Sequence, residues 1–97
     1  MYLVDYHTHS LCSQDSDAPL ADMAQAAAEA GLSELCITDH FDLLSGHGKP
    51  TADPDWTAIL RQYEPVSRAL PQGLTLRLGL ELGCGHLDLD RARRVVL

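Results

Sequence analysis

The chain has 97 residues, of which 45% are apolar and 22% charged, proportions that exclude the low-hydrophobicity, high-charge composition of disordered chains. A chain of this length holds one small domain and does not divide into two. Seven basic residues against fourteen acidic ones give a net charge of -7, a field that repels nucleic-acid phosphates and anionic membrane surfaces, so any anionic substrate must be gathered locally by bound cations.

Cys12, Cys36 and Cys84 are odd in number and widely spaced, with no Cys-x-x-Cys pair, which fits reduced thiols in a cytoplasm. Met1 leads directly into Tyr2-Leu3-Val4 without a basic region or a long apolar run, so neither a signal peptide nor a membrane span is expected.

The alternation from Tyr2 to His9 predicts a strand running into the polar turn Ser10 to Asp17. A helix is expected next, with Pro19 at its first position and Leu20, Met23, Ala24, Ala27 and Ala28 at helical spacing, closed by Gly31 with Leu32 packing back. Leu35-Cys36-Ile37 suits a short buried strand ending in Thr38-Asp39-His40. Phe41 to Pro54 holds two glycines and two prolines with little periodicity and is expected to be a long loop.

Trp56, Ile59, Leu60 and Tyr63 mark a second helix, which Pro65 is expected to kink or break before Val66 and Leu70 continue the stripe. After the Pro71-Gln72-Gly73 turn, Leu74, Leu76, Leu78, Leu80 and Leu82 occupy one face of a single predicted strand, which points Glu81 the other way. Leu89, Ala92, Val95 and Val96 predict a last helix over Asp88 to Leu97 that carries no capping glycine or proline. The strand-helix alternation occurs three times and predicts an α/β fold of parallel β-α units.

Residues two apart in a strand lie on one face roughly 6.6 Å from each other, so His7 and His9 can converge on one cation. Asp5, on the same face, is a candidate to orient an imidazole. His40 and Glu81 also fall near predicted strand ends, where α/β enzymes build their sites. A carboxylate such as Glu81 in a leucine-rich strand is costly to bury unless it meets a cation or a hydrogen-bonding partner, and Gly79 and Gly83 beside it leave room for close approach. Asp39 reads equally as a turn or capping residue and as an orienting one.

Asp5-Tyr6-His7-Thr8-His9-Ser10, Thr38-Asp39-His40 and Gly79-Leu80-Glu81-Leu82-Gly83, in this order and spacing, resemble the first three motifs of the PHP (polymerase and histidinol phosphatase) phosphoesterases. Ala30-Gly31-Leu32 before the second strand is similar to the histidinol-phosphatase-like members. The resemblance implies a distorted (β/α)7 barrel with up to three divalent metals, zinc, manganese or iron, at the C-terminal ends of its strands. It implies that His7, His9 and Glu81 bind one metal, that Glu81 bridges to a second, and that Asp15 and His40 share a third. Asp17 is the neighbouring competitor of Asp15 and reads otherwise as a helix cap.

The activity so implied is hydrolysis of a small phosphomonoester, with histidinol phosphate as substrate and histidine biosynthesis as pathway. The alternatives are a nucleotide or oligonucleotide phosphoesterase of the same fold, and a non-catalytic metal-binding PHP module attached to a polymerase. In the family further ligands follow the third motif, so residues 1–97 are expected to be the N-terminal portion of a single PHP domain, weak in metal binding and hydrolysis and prone to self-association through an open sheet edge. His47 and Lys49 read mainly as solvated loop residues, His86 stands beyond the third motif near Glu81, and Cys12 and Cys84 are assigned no chemistry.

Overall fold

In the computed structural model, which describes residues 1–96, the elements follow the order β1 (Val4–Thr8), α1 (Leu20–Glu29), β2 (Glu34–Ile37), β3 (His40–Asp42), α2 (Trp56–Arg68), β4 (Thr75–Leu78), β5 (Glu81–Gly83) and α3 (Leu89–Val96), with a single 3-10 turn at Gly85–Leu87. Every strand pairing is parallel: β1 with β2, β2 with β4, and β3 with β5. The sheet order β1-β2-β4 is the parallel β-α arrangement that the alternation predicts. Among the described residues no helix is long and apolar enough to cross a membrane.

Helix α1 begins one residue later than expected. Pro19 is its N-cap, with extended backbone at φ -62 and ψ 141, and its carbonyl accepts the Asp22 and Met23 N–H groups. Leu20 N–H, one of the donors a helix start leaves unpaired, is taken by Gln62 Oε1 of α2 at 2.9 Å. At the other end Gly31 adopts φ 85, and the bonds Leu32 N–H to Ala27 O (3.0 Å) and Gly31 N–H to Ala28 O (3.1 Å) close a Schellman cap. Leu32 thereby turns back onto the core formed by Leu20, Ala24, Ala27, Leu35, Ile37, Leu74 and Leu76.

Three further expectations are corrected. The segment after His40 is not loop from its start: His40–Asp42 is a strand, and Phe41 and Leu43 are buried with Ala92 in a second core cluster. Alternating apolar residues bury there because Leu80, just before β5, and Leu82 within it pack against them. Helix α2 runs through Pro65 without breaking. Pro65 and Arg61, whose carbonyl loses its partner, are both exposed, so solvent reaches the freed group, while Tyr63 and Val66 hold the inner stripe on the core.

The predicted strand from Leu74 to Leu82 is divided into β4 and β5, which pair with different partners. The register nevertheless does not change: the offset that pairs Glu34 with Thr75 also pairs His40 with Glu81 and Asp42 with Gly83. The gap is bridged by Gly79 N–H to Ile37 O at 2.7 Å and Glu81 N–H to Asp39 O at 3.0 Å. A Cβ at position 79 would lie 3.1 Å from Cys36 Sγ, which is why glycine stands where the two segments approach. The last helix is observed to Val96, and its predicted end at Leu97 lies outside the described residues.

Arg91 of α3 ties down the segment after β3. Its guanidinium donates to Leu43 O at 3.0 Å, to Thr51 O and to Asp53 Oδ1 at 3.1 Å, and it lies over the Phe41 ring, 5.4 Å from the centroid. An Arg91→Ala protein is expected to lose about 1–3 kcal/mol, because two carbonyls and a carboxylate lose a charged donor, and to expose residues 43–53. Limited proteolysis that cuts this segment at the wild-type rate would contradict the assignment.

Candidate metal centre

The register places the site. His40 and Glu81 are direct Cα partners, immediately beyond the C-terminal ends of β2 and β4, and β1 brings His7 and His9 to the same edge. Glu81 is the meeting point. Its Oε1 lies 2.8 Å from His7 Nε2, and its Oε2 lies 3.0 Å from His9 Nε2 and 2.7 Å from His40 Nδ1. The His7 and His9 ring centroids are 5.3 Å apart, and those of His9 and His40 4.2 Å.

Asp15 enters from the turn after β1. Its Oδ2 is 3.0 Å from both His9 Nδ1 and His40 Nε2. The structure therefore brings together all five residues His7, His9, Asp15, His40 and Glu81, as two overlapping groups, His7-His9-Glu81 and His9-Asp15-His40, whose ligand atoms lie within 4.8 Å of one another.

Three of these atoms, His9 Nε2, His40 Nδ1 and Glu81 Oε2, are buried and have no hydrogen-bond partner, although both nitrogens lie within 3.0 Å of the Glu81 oxygen. Close approach without hydrogen-bond geometry is what atoms show when they aim at a common point between them and not at one another. Imidazole nitrogen with carboxylate oxygen is also the donor set of zinc, manganese and iron, so the residues fit a divalent cation. A neutral imidazole offers one lone pair, so His9 serves one of the two groups at a time.

Behind the ligands lies a buried polar network that the sequence does not announce. Asp39, 4% exposed, accepts both the main-chain N–H and the hydroxyl of Ser10, which is fully buried. Ser10 Oγ in turn accepts from Gln62 Nε2 at 2.9 Å and from Cys12 N–H at 3.2 Å. Of the two roles open to Asp39, the structure shows it anchoring the Ser10 turn. Gln62 carries the one signal that sequence offers: an amide on the inner stripe of an amphipathic helix, between Ile59 and Val66.

Ser13 Oγ donates to Asp15 Oδ1 at 2.6 Å. This bond, ahead of the neighbouring His9 and His40, holds the Asp15 carboxyl below the usual carboxylate range. Burial, reinforced by the Asp39 carboxylate, pushes the Cys12 thiol up, so Cys12 is no thiolate nucleophile at neutral pH.

Asp5 does not orient an imidazole. The β1–β2 register shifts between Asp5 and Thr8, which breaks the two-residue alternation, and Asp5 Oδ1 instead accepts the main-chain N–H of His7 at 3.1 Å. Asp17 is exposed and belongs to neither group, and α1 is capped by Pro19. His47 and Lys49 lie exposed on a turn organised by Ser45, and His86 lies exposed in the 3-10 turn, outside both groups.

An α/β scaffold whose strand ends gather imidazoles and carboxylates around unpartnered atoms defines an α/β protein with a candidate metal site. Residues 5–97 match the PHP domain family, and the chain belongs to that family. It is 38% identical over 93 residues to a probable phosphatase of Photobacterium profundum, covering 92% of this chain and 35% of that protein. It is 36% identical over 87 residues to a probable histidinol-phosphatase of Deinococcus radiodurans, covering 81% of this chain and 31% of that protein. The chain thus spans about a third of the length of these curated relatives. No solved structure gives a significant match.

Proposed function

We propose that the chain supplies the first part of a metal centre that hydrolyses phosphomonoesters, and that its β-α units are the opening units of a distorted (β/α)7 barrel. The observation that carries this is the set of three buried, unpartnered atoms, His9 Nε2, His40 Nδ1 and Glu81 Oε2. His7, His9, His40 and Glu81 would hold divalent cations, with Asp15 beside them. A cation bound there supplies Lewis-acid chemistry, neutralising charge on phosphoryl oxygens and bringing water into the reactive range.

The protein's own groups do the rest. Glu81 sets its carboxyl oxygens among three imidazoles, and the Ser10-Asp39-Gln62 network fixes the turn that carries Asp15. His7 is exposed, with 70% of its side-chain surface accessible, which leaves the site open to substrate. Histidinol phosphate is the proposed substrate, supported by the name of the Deinococcus radiodurans relative.

The test is thermal melting of the chain with and without zinc, manganese or iron(II), followed by phosphate release from histidinol phosphate and from nucleoside monophosphates. At least one cation is expected to raise the melting temperature by several degrees, as binding to the folded state requires. No shift with any of the three would overturn the metal centre. Phosphate release from nucleotides and not from histidinol phosphate would replace the substrate.

A further inference from the structure

Asp15 stands between two imidazoles, and its bond to one of them decides which nitrogen of His9 is available. Asp15 Oδ2 and His9 Nδ1 are 3.0 Å apart in hydrogen-bond geometry. An ionised carboxylate only accepts, so the proton of a neutral His9 resides on Nδ1. The lone pair then belongs to Nε2, the buried atom without a hydrogen-bond partner, 3.0 Å from Glu81 Oε2.

The competing tautomer would carry its proton on Nε2, and the nitrogen that faces His7 and Glu81 would be closed to a cation. What opposes this is the orientation of Asp15, a side chain 46% exposed that would otherwise turn to solvent. Ser13 holds it. Its Oγ donates to Asp15 Oδ1 at 2.6 Å and accepts the main-chain N–H of His40 at 3.2 Å, and Ser13 is 3% exposed with its own N–H bonded to Ser10 O at 2.9 Å.

We infer that Ser13 is a positioning residue of this centre: through Asp15 it locks His9 as the Nδ1–H tautomer and so aims Nε2 at the position shared with His7 and Glu81. The effect on cation binding rests on the metal-centre function proposed above. The tautomer itself is a property of the metal-free chain. Because Ser13 also bonds the backbone of His40, one hydroxyl sets the gap between Asp15 and the His40 strand.

The experiment is a long-range proton-nitrogen correlation spectrum of the 15N-labelled, metal-free chain in mildly alkaline buffer, paired with zinc titration. Wild type is expected to show His9 predominantly as Nδ1–H. Ser13→Ala should give mixed tautomers or a majority of Nε2–H and bind zinc on the order of tenfold more weakly, and Ser13→Thr, which keeps the hydroxyl, should restore both. Should Ser13→Ala not fold, Asp15→Ala is expected to shift the tautomer in the same direction.

A wild-type His9 carrying its proton on Nε2 overturns the inference, as does an unchanged tautomer in a Ser13→Ala protein with a dispersed amide spectrum. The Nδ1–H lock without any zinc uptake by wild type would sink the metal centre instead, while supporting the tautomer assignment.

Discussion

Glu81→Gln is expected to abolish stabilisation by divalent cations while leaving the metal-free protein at least as stable as wild type. Glu81 faces His7, His9 and His40 at once, so a neutral isostere removes the charge that all three imidazoles share with a bound ion. A loss of at least about a hundredfold in cation affinity is expected, equivalent to about 2.7 kcal/mol. Without metal the sign reverses in mildly alkaline buffer. Glu81 Oε2 is buried without a hydrogen-bond partner, a state that costs about 1–3 kcal/mol or more for a charged group, and glutamine carries no charge to strand. Titration calorimetry with zinc and urea unfolding of the metal-free chain check the two halves. A variant that keeps its cation-dependent shift would show that Glu81 is no ligand.

Asp39→Ala should be the most destabilising single change near the site. It removes the acceptor of two donors on Ser10, one main-chain and one hydroxyl, in a position closed to water. Leaving two buried donors without an acceptor costs about 1–3 kcal/mol each, a large part of the roughly 5–15 kcal/mol that holds a domain folded. Asp39→Asn keeps one acceptor oxygen and should lose about half as much. The turn from Ser10 to Asp17 loosens in both, so cation binding falls along with stability. Urea midpoints read the stability, and an Asp39→Ala midpoint within error of wild type would show that the network contributes nothing.

Much of this is readable from residue order because local rules agree with the packing. The leucines from Leu74 onward alternate strictly, and their phase survives the break between β4 and β5 because the parallel register continues across it. Gly31 stands where a helix must turn left-handed, and it does. His7 lies in β1, which ends one position short of the predicted strand so that His9 follows its last residue, and His40 and Glu81 lie side by side near the strand ends that the apolar pattern predicts.

What is not readable depends on partners distant in sequence. Phe41 and Leu43 alternate, yet the glycines and prolines that follow outweigh a pattern that only contact with Leu80 and Leu82 makes stable. Ser10 and Ser13 are ordinary polar residues until the turn after β1 is laid against α2 and β3. Arg91 reads as one charge among several on α3, and its role exists only once the segment from Leu43 to Asp53 folds back beneath it. The alternation misplaces Asp5 because a shift in register cannot be seen in an alternating string.

Two of the imidazoles hang from β1, which occupies the outer position of its sheet and is bonded along one side alone, to β2. Outer strands fray first. Backbone amides of Val4 to Thr8 should therefore exchange with solvent faster than those of β2, and ion capture should slow that exchange by tethering His7 and His9 to Glu81 of β5. The grip of the pocket and the breathing of its margin are in this way one equilibrium, so anything that seals that flank would sharpen selectivity for the ion without touching a single donor atom.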